Sequence, residues 1–145
     1  MMVPHHVQAV EMSDVILAKE GIDPRVVTLA EEIKAAQQPE IDALNGMIEA
    51  WGMPPAATDG MDMGHGGHMD GMMTEEDMAA LDAATGTEAS RLFLEQMIVH
   101  HEGAVEMAQL QVDSGVNPDA VTMAQAIIDA QNVEIETMRE ILQSL

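Results

Sequence analysis

The chain has 145 residues, enough for one hydrophobic core, and sets 5 Lys+Arg against 26 Asp+Glu for a net charge of -21. So acidic a surface repels phosphate backbones and anionic membranes, which excludes nucleic acid as a partner, and no apolar run approaches the ~18 residues of a membrane span. Without Cys there are no disulfides, thiolate metal sites or Cys nucleophiles, so any soft-metal chemistry must use Met sulfur.

In chain order, the opening MMVPHH lacks the basic stretch and apolar run of a signal peptide, and a helix starts within it. Gly21 suits the left-handed position that closes that helix, and Asp23-Pro24 places a capping side chain before a Pro at the first helical position of the next. The second helix carries Val27, Ala30, Ile33, Ile41, Leu44 and Ile48 at helical spacing, and Pro39, which removes a backbone hydrogen bond, predicts a kink or restart. Residues 52–73, GMPPAATDGMDMGHGGHMDGMM, have no periodic apolar face and read as a loop or disordered linker. Thr74-Glu75-Glu76-Asp77 then reads as the capped start of a short helix through Ala84, and Gly86-Thr87 leads into a long helix carrying Phe93 to Val112. Gly115 and Asn117-Pro118 repeat the turn, and Val121, Ala124, Ile127, Ile128, Ile135, Met138, Ile141 and Leu142 form the last apolar stripe.

The two halves match each other. MVPHHVQAVEM at 2–12 aligns with MIVHHEGAVEM at 97–107, and further on Gly21-Ile22-Asp23-Pro24 aligns with Gly115-Val116-Asn117-Pro118 and Glu40-Ile41 with Glu134-Ile135. The chain thus reads as one domain over 1–145, made of a first helical hairpin (1–51), a Met/His/Gly-rich linker (52–73), and a short helix plus the second hairpin (74–145). Four amphipathic helices joined this way satisfy one another as an all-α four-helix bundle.

The composition has 15 Met and 6 His beside one Phe, one Trp and no Tyr, and every His is one of a pair: His5 with His6, His65 with His68, and His100 with His101. Met2, His5, Ala9 and Met12 are spaced to share a helix face, and Met97, His100, Ala104 and Met107 repeat the spacing. His6 and His101 point a quarter-turn away, each still four residues from a Met sulfur. Thioethers are poor ligands for Mg, Ca or Mn but good ones for Cu(I), and imidazole also suits copper. The linker adds Met61, Met63, His65, His68, Met69, Met72 and Met73, a composition suited to metal capture. A di-iron or di-manganese site needs Glu-x-x-His, which is absent, and His101-Glu102 has no second His where a zinc protease would carry it. Met47, Met78, Met123 and Met138 read as core filler. Glu11 and Glu106 face away from the stripes; solvent exposure and pairing to a His are both open, and the first is favoured.

Phe93-Leu94-x-x-Met97-Ile98-x-His100-His101-x-x-Ala104-x-x-Met107-Ala108 resembles the signature of the domain-of-unknown-function family 305, with its CopM-like copper-binding members, over essentially both halves. The resemblance implies a ferritin-like bundle, a periplasmic or cell-surface location and a role in copper binding and resistance, with Met2, His5, His6, Met12, Met97, His100, His101 and Met107 as ligand candidates. Pro4 stands where the second copy has Val99, which predicts a looser, more exposed first site. The expectation is a non-enzymatic, extracytoplasmic binder of copper, chiefly Cu(I) with Cu(II) or Ag(I) also accommodated, that sequesters the ion or passes it to a transporter, chaperone or cuproprotein. The alternatives are a metal-dependent oxidase and a structural interaction module whose Met residues merely pack.

Overall fold

The computed structural model describes residues 2–54 and 71–145, and within them every regular element is a helix. These are α1 (Met2–Leu17), α2 (Pro24–Ala50), the short α3 (Glu75–Ala83), α4 (Gly86–Ser114) and α5 (Pro118–Gln143). The fold is an all-α bundle of four long helices. Helix α1 packs along α2 and α4 along α5, while the two hairpins meet mainly through α1 against α4, with α3 laid across α1 and α4.

The helix boundaries follow from the capping chemistry. Asp23 accepts from the Arg25 backbone N–H, Asn117 from those of Asp119 and Ala120, and in both cases a Pro follows at a position that has no donor to lose. Thr74 and Asp77 form a reciprocal capping box at the start of α3. Gly21 adopts the left-handed conformation expected of it, with φ 74. Gly115 does not: at φ -68 and ψ 138 it is extended, because α4 leaves its last turn directly toward the Asn117 cap. Pro39 does not break α2, which runs from Pro24 to Ala50 through it. The Pro and Ala35, whose carbonyl loses its donor, both lie on the exposed face where water can serve instead.

The main core joins Ala9, Met12, Ile16, Val26, Leu29 and Ile33 of the first hairpin to Leu81, Phe93, Leu94, Met97, Ile135 and Met138. A smaller cluster of Ala108, Ala124, Ile127 and Ile128 accepts Met2 at its edge. Met12 thus lies among residues early in α4 and Met2 among later ones, so α1 and α4 run antiparallel with their histidines between the two clusters.

Chain returning from the linker is moored over this contact. The Gln8 side chain brackets the Met73 backbone, donating to its carbonyl at 2.9 Å and accepting from its N–H at 2.8 Å. Gly71, at φ 84, lies so close to α4 that an added Cβ would stand 2.5 Å from the Val99 carbonyl oxygen and 3.1 Å from Gly103 Cα. Gly71→Ala therefore combines an unfavourable φ with a backbone clash, and is expected to cost at least about 1–3 kcal/mol, read as a lower urea midpoint.

Candidate metal-binding site

Where α1 crosses α4, the bundle buries four histidines: His5 and His100 are 1% exposed, His6 and His101 0%. The His5 and His100 rings stack across the hairpin interface with centroids 3.8 Å apart and planes tilted by 45°, and His101 lies 6.3 Å from His100. The first-copy pair is as enclosed as the second, which corrects the expectation drawn from Pro4. Proline at the third residue of α1 has no helical hydrogen bond to lose, so the helix forms around it and buries its histidines normally.

The quarter-turn offset of His6 and His101 aims them at the partner helix of their own hairpin. His6 Nε2 lies 2.7 Å from Glu40 Oε2 on α2, and His101 Nε2 lies 2.7 Å from Glu134 Oε2 on α5. The Nδ1 atoms differ: His6 Nδ1 is 3.2 Å from the Met2 carbonyl oxygen, whereas His101 Nδ1 is buried without a partner. Neither ring nitrogen of His100 has a well-formed hydrogen bond either, its one polar contact being a weak one to the His5 backbone. One turn before each glutamate a glutamine is buried, Gln37 at 2% and Gln131 at 3% exposure, and both side chains carry unpartnered polar atoms. Unpaired polar atoms at these depths cost free energy unless something binds them.

Burial, followed by the proximity of His5, His101 and His6, pushes the His100 imidazole well below its usual 6.5, against a small opposing contribution from the His5 backbone. His100 is therefore a neutral base at neutral pH, the form in which imidazole binds metals. The unfolded chain takes up a proton at this position as the pH falls through about 6.5, while the folded chain does not until much lower. Metal-free stability should thus decline as pH is lowered from about 7.5 to 5.5, measured as a falling urea midpoint; a flat profile would contradict the depressed value.

The thioethers flank this centre. Met12 and Met97 are fully buried in the main core, Met2 is half-buried against the smaller cluster, and Met107 is half-buried on α4. Met73 is buried in the main core and Met72 is half-buried beside it, while Met61, Met63, His65, His68 and Met69 lie outside the described residues. Of the methionines read as core filler, Met138 is fully buried in the main core, Met78 packs against it and Met123 against the smaller cluster, while Met47 is half-buried. Glu11 and Glu106 are exposed, as favoured. Among the described residues, no three His or carboxylate groups converge as a ready-made metal cage. Buried imidazole nitrogens without partners, on a helix that carries Met97 one turn earlier, are donor types that copper and silver prefer.

Glu40, Glu134, Gln37 and Gln131 were not singled out by the motif reading, although the repeat contains the signal. Gln37-Gln38-Pro39-Glu40-Ile41 and Gln131-Asn132-Val133-Glu134-Ile135 keep Gln and Glu in register on the second helix of each hairpin. Only the bundle shows that this register faces the histidines.

The family model described as domain of unknown function (DUF305) matches residues 1–142. The chain belongs to the DUF305 family. A DUF305 fragment from Deinococcus radiodurans is 31% identical with a TM-score of 0.87, over 99% of this chain and 91% of that one. A DUF305 protein from Streptomyces coelicolor proposed to be secreted is 30% identical with a TM-score of 0.86, over 99% and 86% of the two chains. CopM in its Cu(II)-bound form is 31% identical with a TM-score of 0.81, covering 99% and 92%, and CopM structures with Cu(I) and with Ag are also similar. No curated protein matches the chain. No helix among the described residues is long and apolar enough to cross a membrane.

Proposed function

We propose that this DUF305 protein binds copper, chiefly as Cu(I), at the buried histidine–methionine centre between α1 and α4, and acts outside the cytoplasm to sequester the ion or hand it on. The observation that carries this reading is His100, buried, neutral and without a well-formed hydrogen bond beside three further histidines. Packing alone does not account for a polar ring left unsatisfied at such depth. The copper- and silver-bound CopM structures, similar along nearly the whole chain, support the same ligand class. Preference for Cu(I) follows from the thioethers, and the extracytoplasmic setting from the Streptomyces relative. A copper transporter, chaperone or cuproprotein is the fitting recipient. We read the protein as a binder rather than an enzyme, a reading supported by each glutamate at the centre being paired to its own histidine.

An anaerobic Cu(I) competition titration against a chromophoric chelator tests this, comparing the intact chain with a variant in which Met and His of residues 53–69 are replaced. Tight binding retained by the variant is expected, since the bundle centre is untouched. Failure of the intact chain to compete would overturn the reading.

A further inference from the structure

The two His–Glu pairs have the same length and sit at matched positions of the hairpins, yet they leave their histidines in different states. Glu134 accepts from His101 Nε2 at 2.7 Å with its own side chain only 17% exposed. A carboxylate offers no proton in return, so the hydrogen of a neutral His101 belongs on Nε2 and the Nδ1 lone pair is left free. That Nδ1 is buried and unpartnered, on the opposite side of the ring from Glu134. In the first hairpin Glu40 engages His6 Nε2 in the same way, but His6 Nδ1 faces the Met2 carbonyl at 3.2 Å. A carbonyl is also an acceptor, so both edges of His6 look toward acceptors and its Nδ1 is not presented as that of His101 is.

We infer that Glu134 is a positioning residue that fixes the Nε2–H tautomer of His101 and presents Nδ1 as a metal-binding atom, a role that His6, its counterpart in the first hairpin, does not share. This rests on the copper-binding reading above and adds to it the atom, the residue that selects it and the inequality of the two halves. The carboxylate acts through the ring: its hydrogen bond orients the imidazole and raises its basicity as a ligand. Gln131, one turn earlier on α5, keeps an unpartnered buried oxygen on the same helix face, so a polar environment continues from Glu134 along the bundle.

Long-range proton–nitrogen correlation of the histidine rings, without metal and with one equivalent of Ag(I), tests the inference in the whole chain. Without metal, His101 is expected as the Nε2–H tautomer in the native protein and as a tautomer mixture in Glu134→Ala. On loading, Nδ1 of His101 is expected to shift and couple to silver, while His6 Nδ1 does not. Glu134→Ala should weaken Ag(I) binding roughly 10–100-fold, and Glu134→Gln, whose amide oxygen can accept the same hydrogen bond, should restore both the tautomer and most of the affinity. Helical circular dichroism of each variant separates these effects from misfolding. A hydrogen found on His101 Nδ1 in the native protein, silver coupled to Nε2, or an unchanged tautomer and affinity in Glu134→Ala would each overturn the inference. Silver shifting His100 but not His101 would overturn it alone, whereas no histidine responding to silver would overturn the copper-binding reading beneath it as well.

Discussion

His100→Leu is expected to make the metal-free protein more stable and the copper site much weaker. The native ring is 1% exposed with neither nitrogen in a well-formed hydrogen bond, and an unsatisfied buried polar group costs about 1–3 kcal/mol. Leucine has a similar volume, packs against the His5 ring in place of the imidazole and brings no polar atom of its own, so the unfolding free energy should rise by that amount in a urea titration. The same change removes a donor from the centre, and Cu(I) affinity should fall by more than about a hundredfold, beyond the typical effect of losing only a supporting group. Loading then works against the variant: an ion at about 100 times its Kd adds about 2.7 kcal/mol to the native protein and almost nothing to the variant, which offsets most or all of the variant's gain. The variant should also lose the decline of stability between about pH 7.5 and 5.5, since the group responsible is gone. A variant that is less stable and still binds copper would assign His100 to packing.

Phe93→Ala should be the most damaging single truncation for the fold. It is the only phenylalanine, is fully buried, and lies in the cluster joining Met12 and Ile16 of α1 to Leu81, Met138 and Ile141. The other large aromatic, Trp51, is 48% exposed, so no second ring shares the load. Removing a buried phenyl group in such a setting costs about 3–5 kcal/mol, a large part of the ~5–15 kcal/mol that holds a domain together. Thermal or urea unfolding measures it, and a loss below about 1 kcal/mol would mean that the methionines nearby flow into the gap. Phe93 lies two turns from His100 on α4, so at temperatures where the variant stays folded its copper affinity should change little.

What the sequence conveys here follows from how local each signal is. The capping residues Asp23, Thr74 and Asn117 announce their helices because a side chain bonds backbone only two or three residues away. The Met-His spacing likewise places His5 and His100 on their helix faces, and those faces do meet. The restart expected as one outcome at Pro39 does not occur, because the cost of a helical proline depends on whether water reaches the freed carbonyl, which is a matter of tertiary exposure. Gly115 misled because a glycine after a helix permits the left-handed conformation without requiring it. Glu40 and Glu134 stood out as repeat positions, but their pairing to histidines did not, because those partners lie 34 and 33 residues away on a different helix. Buried His100 could not be foreseen either, since a paired histidine motif says nothing about whether each ring finds a hydrogen bond.

The most direct test of a copper centre built from both histidine and methionine is X-ray absorption at the copper edge on protein loaded anaerobically with one equivalent of Cu(I), using the variant stripped of linker Met and His. The expected result is a mixed shell, with at least one nitrogen scatterer showing imidazole multiple scattering and at least one sulfur. A shell of oxygen alone, or of sulfur alone, would contradict it.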